Sequence, residues 1–282
     1  MTTAPTLFLS HGAPTFALEP GRLGPLLNSL GKQLAHDASG IKAVLVISPH
    51  WQTRNVRVMT TARPETVHDF GGFPSALYAL HYPASGHPHY AAEAIRLLTQ
   101  AGFLVSADAQ RGLDHGAWVP LRHLLPDADV PVFQVSMPHD LDPSSALALG
   151  RALAPIREQG VMILASGGMT HNLHEFRQAG SVAANYAVEF THWIRQAVTR
   201  NDIERLVNYR KLAPHAPRAH PTEEHLLPLL VALGARTDQE ILQVLDGGID
   251  HGVLSMESYA WGVNPAHPAN TPNPITLDKE FS

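Results

Sequence analysis

Three histidines lie beside apolar runs of strand length, and Ser, Gly or Pro residues break each run near its histidine. The runs and their histidines are 7–9 with His11, 44–47 with His50, and 161–165 with His171. Apolar runs of this length that are bounded by Gly and Pro are typical of strands buried on both faces. In open α/β sheets, ligands bind in the crevice beyond the carboxyl ends of such strands. The pattern therefore predicts that three imidazoles meet at one edge of a sheet and hold a metal ion there.

Composition and charge restrict the possible partners. The chain has 282 residues, of which 44% are hydrophobic and 16% charged, and its formal charge is −5. This charge, without a block of one sign, argues against nucleic acid or an anionic membrane as a partner. No cysteine is present, so a bound metal would have nitrogen and oxygen ligands. Residues 1–5 lack the features of a signal peptide, and no apolar run approaches the roughly 20 residues that span a bilayer, so we expect a cytoplasmic protein.

Strand and helix patterns alternate along the chain. The predicted strands are 6–9, 43–47, 56–60, 103–106, 132–135, 161–165, 241–245 and 253–256. The predicted helices are 21–35, 89–101, 114–125, 144–159, 182–199, 202–209 and 222–234, the last with Thr222 as its N-cap. This alternation predicts a single α/β domain with a central, mixed sheet flanked by helices. The domain is expected to occupy residues 1–263, and residues 264–282 form a proline-rich C-terminal tail.

A loop rich in glycine and aromatic residues follows the third predicted strand. Residues 68–74 read His-Asp-Phe-Gly-Gly-Phe-Pro, and Tyr78 lies just beyond them. We predict that Trp51, Phe70, Phe73 and Tyr78 form the wall of a pocket for a planar ligand. An ordered surface loop without a ligand is the alternative interpretation.

Six blocks of sequence together resemble one known family. In chain order they are 10–14, 48–51, 68–74, 114–118, 165–173 and 221–230. Each block alone is weak, but six in order resemble the class III extradiol ring-cleaving dioxygenases, in the branch of the 4,5-DOPA dioxygenases. The resemblance covers about residues 6 to 260 of the chain.

The resemblance implies a non-haem Fe(II) enzyme that opens a catechol ring beside its two hydroxyl groups. His11, His50 and His225 match the metal-ligand positions of this branch. His171 matches a histidine that is assigned as acid/base and is sometimes regarded as a further ligand, and His115 matches a histidine near substrate and oxygen. The wider class has a carboxylate at the third ligand position, and Glu223 and Glu224 lie next to His225. We favour His225 because the DOPA branch has histidine there.

The residue types suit this chemistry. Three imidazoles on one face of a metal leave positions open for the two catechol oxygens and for dioxygen. Histidine can remove a catechol proton and later return it near neutral pH. We therefore expect a small catechol and O2 as substrates, Fe(II) as the active metal, and Zn(II) in the purified protein, since an all-nitrogen site favours zinc.

Two other functions remain open at this stage. Three imidazoles and a water molecule are also the ligands of catalytic zinc, so a zinc hydrolase is possible. A non-catalytic metal-binding protein on the same scaffold is the third interpretation, because function does not follow from fold. The presence of both His115 and His171 argues against the third, since a binding protein needs no acid/base pair.

Overall fold

The computed structural model describes residues 3–36, 40–178 and 180–263, so the predicted tail at 264–282 lies outside the described residues. Within these ranges the chain forms one α/β domain around a mixed, eight-stranded sheet, as predicted. The described helices include none that is both long enough and apolar enough to cross a membrane.

Ten strands are present in the described ranges. They are β1 Thr6–Ser10, β2 Ala43–Thr53, β3 Val56–Met59, β4 Val105–Asp108, β5 Val132–Pro138, β6 Val161–Gly167, β7 Leu242–Leu245, β8 Ile249–Asp250, β9 Leu254–Ser255 and β10 Ser258–Trp261. The sheet has the order β4-β3-β5-β2-β6-β1-β10-β7, and β8 pairs with β9 in a separate ribbon. Because β6 lies between β1 and β2, the ends of these three strands are adjacent.

The centre of the sheet is parallel and fully buried. β5, β2, β6 and β1 run in one direction, and β3 and β10 pair antiparallel to the two ends of this group. Every residue of β1 and β6 is buried, as is β2 from Ala43 to Pro49. Strands covered on both faces read as continuous apolar runs, which explains why the sequence revealed them.

Ten α-helices are present in the described ranges. They are α1 Leu23–His36, α2 Ser75–Tyr78, α3 Pro88–Gln100, α4 His115–Leu124, α5 Pro143–Leu153, α6 Asn185–Thr199, α7 Ile203–Val207, α8 Tyr209–Leu212, α9 Ala216–Ala219 and α10 Leu227–Ala235. All nine residues of α10 are buried, and this helix packs against α5 and β6. It therefore forms part of the core beneath the carboxyl edge of the sheet.

The predicted start of the last helix is wrong. We predicted a helix over 222–234 with Thr222 as its N-cap, but α10 begins at Leu227, and Thr222 Oγ1 donates to Glu224 instead. Pro228 explains the difference, because proline fits the first turn of a helix but removes a backbone hydrogen bond further inside. Residues 222–226 consequently form a turn, and this turn carries His225.

The last strands of the chain differ from the prediction. The strand predicted over 253–256 is present as the shorter β9, Leu254–Ser255, but it pairs with β8 and not within the central sheet. The sheet instead gains β10, which pairs antiparallel with β1. The Ser258 hydroxyl accepts a hydrogen bond from Ser10 N–H at 2.9 Å. This bond satisfies a buried polar side chain within β10, beyond the point where the sequence pattern predicted that the last strand ends.

The second strand is longer than predicted. β2 continues to Thr53, with a register shift against β5 between Ile47 and Gln52. His50 therefore lies within an irregular part of the strand rather than after it. Irregularities of this kind re-aim side chains and occur beside active sites.

Candidate metal centre

Three imidazoles converge at the carboxyl edge of the sheet. They belong to His11, His50 and His225, and one ring nitrogen of each lies within 4.8 Å of the other two. The Nε2 atoms of His11 and His50 are 3.1 Å apart. Two nitrogens bound at right angles to one metal ion, each about 2.0–2.1 Å from it, would be separated by roughly this distance. We call these three residues the histidine trio.

Close backbone contacts deliver the first two imidazoles. The backbone N–H of His11 donates to the last carbonyl of β6 at 2.9 Å, and Gly12 has a φ of +60°. This positive φ favours glycine at position 12, because other residues rarely adopt it. A Cβ at Gly116 would lie 2.9 Å from the ring of His50, so a larger residue would displace that imidazole.

A turn rather than a strand supplies the third imidazole. His225 lies just before α10, and its carbonyl accepts a hydrogen bond from Gly168 N–H at 2.8 Å. A Cβ at Gly167 would collide with the same carbonyl. Gly167 therefore allows this turn to pack directly against the end of β6.

Hydrogen bonds at the outer nitrogens set the tautomers of two trio members. The Ser166 hydroxyl donates to the Gly116 carbonyl, so its oxygen accepts from Nδ1–H of His11 at 2.9 Å. Nδ1–H of His225 donates to the Glu224 carboxylate at 3.0 Å. Both rings thus carry the proton on Nδ1, which leaves Nε2 with a free lone pair. Partners of this kind are typical of metal-binding histidines.

The free nitrogens fit a bound cation. Nε2 of His225 is buried and has no hydrogen-bond partner among the described residues, a costly arrangement unless something else binds it. The Asp69 carboxylate lies 3.8 Å from Nδ1 of His50, and its negative charge favours a proton on Nδ1. Nε2 of His50 then has a free lone pair, which faces the Nε2 lone pair of His11. Three lone pairs then point to one place, so the trio could hold a metal ion with three nitrogen ligands.

Burial keeps the trio uncharged at neutral pH. Burial and then the neighbouring imidazoles lower the pKa of His11 and of His225 well below the ordinary value of 6.5. The same causes lower the pKa of His50 to about 4, although the carboxylates of Asp114 and Asp69 oppose them. Neutral imidazoles have the lone pairs that a metal requires.

One flanking histidine lies beside His50. His115 is the first residue of α4, and its ring centroid is 3.9 Å from that of His50. One oxygen of Asp69 accepts from both the backbone N–H and Nδ1–H of His115, each at 2.9 Å. Burial acts to raise the pKa of Asp69, but the hydrogen bonds from His115 outweigh it and the pKa falls to about 2. The ionised carboxylate fixes a proton of His115 on Nδ1.

The other flanking histidine stacks on His225. The ring centroids of His171 and His225 are 3.4 Å apart, and the rings are 8° from parallel. The backbone N–H of His171 donates to Ala219 at 2.8 Å, and Nε2–H of His220 donates to the Met169 carbonyl at 2.9 Å. These two hydrogen bonds join the loop after β6 to the end of α9 and set the position of His171.

The ring of His171 is neutral at pH 7. Burial lowers the pKa of His171 to about 4, and the imidazole of His115 adds to this shift while the carboxylate of Glu224 opposes it. His171, Glu224 and His225 also offer ligand atoms that lie within 4.8 Å of one another. Glu224, however, meets His225 at Nδ1, and Glu223 accepts a hydrogen bond from Tyr209 at 2.8 Å. The structure thus places His225, and neither glutamate, in the trio.

A buried polar network lies behind His50. The fully buried Asp114 carboxylate accepts from the Ser48 hydroxyl at 2.8 Å, from Gln134 Nε2 at 2.9 Å and from Arg111 at 2.6 Å. The side chain of Asp114 also caps α4, because it accepts a hydrogen bond from the backbone N–H of Ala117. Buried networks with satisfied partners rigidify their surroundings, so this one restricts the segment that carries His50.

Three of the four predicted wall residues lie together near His115. The ring of Phe70 is 5.5 Å from that of Phe73, 5.3 Å from that of Tyr78 and 5.7 Å from the imidazole of His115. Trp51 differs from them because it is only 6% exposed and its ring faces the guanidinium of the buried network, 5.0 Å away. Trp51 therefore lies in a different environment from the other three predicted wall residues.

Sequence reasoning did not identify Asp69, Ser166 or His220 as parts of the site. Ser166 contacts a histidine 155 positions away, and Asp69 contacts one 46 positions away. Such long-range partners leave no periodic signal in a sequence. The one available signal for Asp69 is a charged residue inside a loop of glycine and aromatic residues, since loops carry many functional side chains.

Comparisons with known proteins give the same family. Residues 5–254 match the family described as the catalytic LigB subunit of aromatic ring-opening dioxygenase. The chain is 38% identical over 256 residues to the Beta vulgaris protein named 4,5-DOPA dioxygenase extradiol, covering 90% of this chain and 95% of that protein. It is also 38% identical over 265 residues to the Escherichia coli K12 protein of the same name, covering 93% and 96%.

A solved structure agrees with these sequence matches. The fold resembles the crystal structure of an uncharacterised Escherichia coli K12 protein, with a TM-score of 0.75 and 32% identity over 91% of this chain and 99% of that one. The family and its named members open aromatic rings, which favours the first of the three functions considered above over a zinc hydrolase or a non-catalytic binding protein. The chain therefore belongs to the class III extradiol ring-cleaving dioxygenases of the LigB family, and it is an aromatic ring-opening enzyme.

Proposed function

We propose that this protein is a non-haem Fe(II) enzyme that inserts both atoms of O2 into a small, DOPA-like catechol and opens the ring to a semialdehyde. The observation that carries the proposal is the histidine trio, whose Nε2 lone pairs converge and include one that is buried without a partner. Two relatives named as 4,5-DOPA dioxygenases support the choice of substrate class.

The metal would be held by His11, His50 and His225. Bound there, Fe(II) would supply the positions at which the catechol oxygens and dioxygen meet and exchange electrons. The chain has no cysteine, and three neutral imidazoles on one side leave the remaining positions open. The outer partners Ser166 and Glu224 keep two of these rings in the tautomer that binding requires.

Zinc competes for the same three nitrogens. By the usual order of affinities, an all-nitrogen site binds Zn(II) more tightly than Fe(II), so we expect the purified protein to carry zinc or to be partly empty. Metal analysis of the protein as isolated and after reconstitution measures this directly. Absence of stoichiometric metal in both samples would contradict the proposed site.

His171 is the proposed acid/base. Its ring is neutral at pH 7 because burial lowers its pKa to about 4, so it has a lone pair that could accept a proton from a catechol hydroxyl made more acidic by the bound metal. An imidazolium with a lowered pKa is a strong acid, so it readily returns the proton to the oxygen that is released when the O–O bond breaks and that then adds to the product. Its backbone hydrogen bond to Ala219 keeps the ring in place during both transfers.

His115 is proposed to position substrate or oxygen. Asp69 holds one proton of His115 on Nδ1, so Nε2 is the nitrogen that remains available to the ligand. The aromatic loop lies next to it, and we propose that Phe70, Phe73 and Tyr78 contact the catechol ring. Contact between substrate and Trp51 stays a prediction, and in the structure the ring of Trp51 faces Arg111.

The test is turnover by iron-loaded protein. The protein is loaded with Fe(II) without oxygen, mixed with a catechol and then exposed to air. We expect oxygen uptake with one O2 consumed for each catechol and a yellow ring-opened semialdehyde. Zinc-loaded protein serves as the control and should give neither signal. Fe(II)-loaded protein that binds metal but consumes no oxygen with any catechol would overturn the proposal.

The catalytic unit is proposed to end at residue 263. All the residues given roles above lie before that position, and the family match ends at 254. Truncation after residue 263 should therefore leave the rate of catechol cleavage unchanged, and oxygen uptake by the truncated protein measures this. A large loss of activity would assign the C-terminal segment a part in the site.

A further inference from the structure

The ring of His171 takes its position from the main chain that carries it. The ring stacks on that of His225 and makes no hydrogen bond with the described residues, whereas the backbone N–H donates to the Ala219 carbonyl at 2.8 Å. Packing and backbone therefore hold this imidazole. The contacts that fix residues 170–172 consequently decide where the ring lies.

Both neighbours of His171 are buried polar residues with partners in other parts of the chain. The Thr170 hydroxyl donates to the Val253 carbonyl and accepts from Ser255 N–H, both at 2.7 Å. These bonds tie the residue before His171 to the segment of β9. The residue after it, Asn172, is tied to α9 instead.

Asn172 uses both ends of its side-chain amide. Oδ1 accepts from the backbone N–H of His174 at 3.1 Å and caps the short 3₁₀ turn Leu173–Glu175. Nδ2 donates to the Arg218 carbonyl at 2.8 Å, next to the carbonyl that accepts from His171 N–H. Since one partner is a donor and the other an acceptor, this orientation of the amide satisfies both. Two consecutive carbonyls at the end of α9 thus hold two consecutive residues of the loop.

An ion pair joins the same two segments at the surface. The Arg218 guanidinium donates to both carboxylate oxygens of Glu175, at 2.7 and 2.8 Å, and lies 4.3 Å from the ring centroid of Tyr186. An exposed ion pair contributes little alone, but two parallel bonds fix the orientation of the partners. We call the contacts between residues 171–175 and residues 218–219 the α9 contact.

We propose that Asn172 is a positioning residue that holds the ring of His171 beside the histidine trio through the α9 contact. The inference rests on the proposed function, in which His171 moves a proton. Without the amide of Asn172, one main-chain hydrogen bond and an exposed ion pair remain between this side of His171 and α9. A reacting group that is displaced by about 1 Å can slow a reaction about 100-fold.

Zinc-loaded protein tests the position of the ring without turnover. Crystal structures of wild type and Asn172→Ala compare the rings of His171 and His225, and hydrogen exchange measures the backbone N–H of His171. We expect the variant to lose the parallel stack and to exchange this N–H about tenfold faster, the effect expected when one hydrogen bond is lost. An unchanged stack with an unchanged exchange rate would overturn the proposal.

Turnover by iron-loaded variants shows through which residue Asn172 acts. Asn172→Ala should retain metal and KM for catechol but lower kcat about 10- to 100-fold. In the His171→Gln background the same substitution should cause no further loss, because an effect that acts through the His171 ring disappears with that ring. A loss of equal size in both backgrounds would mean a general structural role and would overturn the proposal.

A second variant and a matched control complete the series. Asn172→Ser keeps an oxygen that can cap the 3₁₀ turn, but its hydroxyl lies one bond closer to the backbone than the amide nitrogen and loses the Arg218 carbonyl. It should behave like Asn172→Ala, and it replaces that variant if the latter does not fold. Asn208 also donates through Nδ2 to a carbonyl, that of Glu204 at 2.9 Å, but it is exposed between α7 and α8. Asn208→Ala should change neither ring position nor rate.

The zinc-loaded and iron-loaded measurements separate this proposal from the proposed function. Iron-loaded wild type that consumes no oxygen with any catechol would contradict the dioxygenase function, and the zinc-loaded samples would still decide whether Asn172 holds the ring. Wild type that turns over, with Asn172 variants that are unchanged in kcat and ring position, would contradict the role of Asn172 alone.

Discussion

The two sides of the histidine trio hold their flanking imidazoles in opposite ways. On the α4 side, His115 lies 3.9 Å from the ring of His50 and is anchored through its own Nδ1–H by Asp69. On the side of the loop after β6, His171 stacks at 3.4 Å on His225, and the structure records a hydrogen bond for its backbone N–H but none, among the residues described, for its ring.

This difference indicates which flanking histidine positions a ligand and which one transfers a proton. A ring whose proton is held by an ionised carboxylate keeps one tautomer and presents one defined nitrogen. A neutral ring held by stacking and by its backbone can gain and lose a proton without breaking a side-chain hydrogen bond. The geometry therefore favours His171 as the group that moves a proton and His115 as the group that orients a ligand.

The largest expected effect comes from removing His225 or His50, the two imidazoles that the flanking histidines contact. His225→Ala removes the support of His171, and His50→Ala removes that of His115, but both also remove a metal ligand. We expect each variant to lose stoichiometric metal and to have no detectable ring-cleaving activity, measured by elemental analysis and oxygen uptake. His192→Ala, an exposed position on α6, is the control and should retain both.

One outcome of this series would correct the ligand set. If His225→Ala retained full metal while Glu224→Ala lost it, the third ligand would be the carboxylate that the wider class uses. We expect the reverse order, with Glu224→Ala weakening metal binding about 10- to 100-fold, as is typical for an outer partner of a ligand.

The next effect is expected at His171. His171→Gln should retain metal and bind catechol, but turn over about 100- to 10,000-fold more slowly, the usual cost of losing a positioned acid/base. His174→Gln, three residues further along and exposed, is the matched control. If His171→Gln lost metal, His171 would be a ligand. If only its melting temperature fell, His171 would be a packing residue. Normal turnover would remove His171 from the mechanism.

A smaller effect is expected on the α4 side. His115→Gln should slow turnover less than His171→Gln does, and its main effect should be on KM for catechol or oxygen, because positioning is its proposed role. Asp69→Asn keeps an oxygen that can accept the backbone N–H of His115 but removes the charge. We expect about a 10-fold loss of kcat/KM, in the range usual for such partners, and steady-state kinetics measures it.

An Asp69→Asn enzyme with unchanged kinetics would contradict the comparison between the two sides. It would mean that the tautomer of His115 does not depend on the carboxylate. A loss as large as that of His171→Gln would contradict it in the other direction, since Asp69 would then take part in proton transfer itself.

The smallest expected effect is on stability against pH. In the unfolded chain these histidines titrate near 6.5, but the folded pKa of His50 and His171 is about 4. Between these values the unfolded chain binds protons that the folded protein excludes, so the metal-free protein should lose stability as the pH falls from 6.5 to about 4. Denaturant titrations measure the slope, which should be shallower in His171→Gln; an equal slope would contradict the lowered pKa of this ring.

The parallel strands explain why much of the site could be predicted from the sequence. His11 and His50 are on or next to strands that are buried on both faces and therefore read as apolar runs. Since β6 lies between those strands, the same pattern also brought His171 to the correct edge. The prediction that His171 is an acid/base beside the three metal ligands, and not one of them, came only from the family resemblance.

The rest depends on contacts that have no local pattern. His225 comes from an irregular turn, which the helix prediction over 222–234 placed wrongly because it ignored Pro228. Asp69 and Ser166 act on histidines 46 and 155 positions away.

The most direct test of the central claim is the position of the metal in a crystal of zinc-loaded protein. Anomalous scattering at the zinc absorption edge identifies the ion without assumptions about its ligands. We expect one site, about 2.0–2.1 Å from Nε2 of His11, His50 and His225, with His171 and His115 on either side and not bound to it. A zinc ion held by Glu224 or His171 in place of His225, or located away from the trio, would contradict the account.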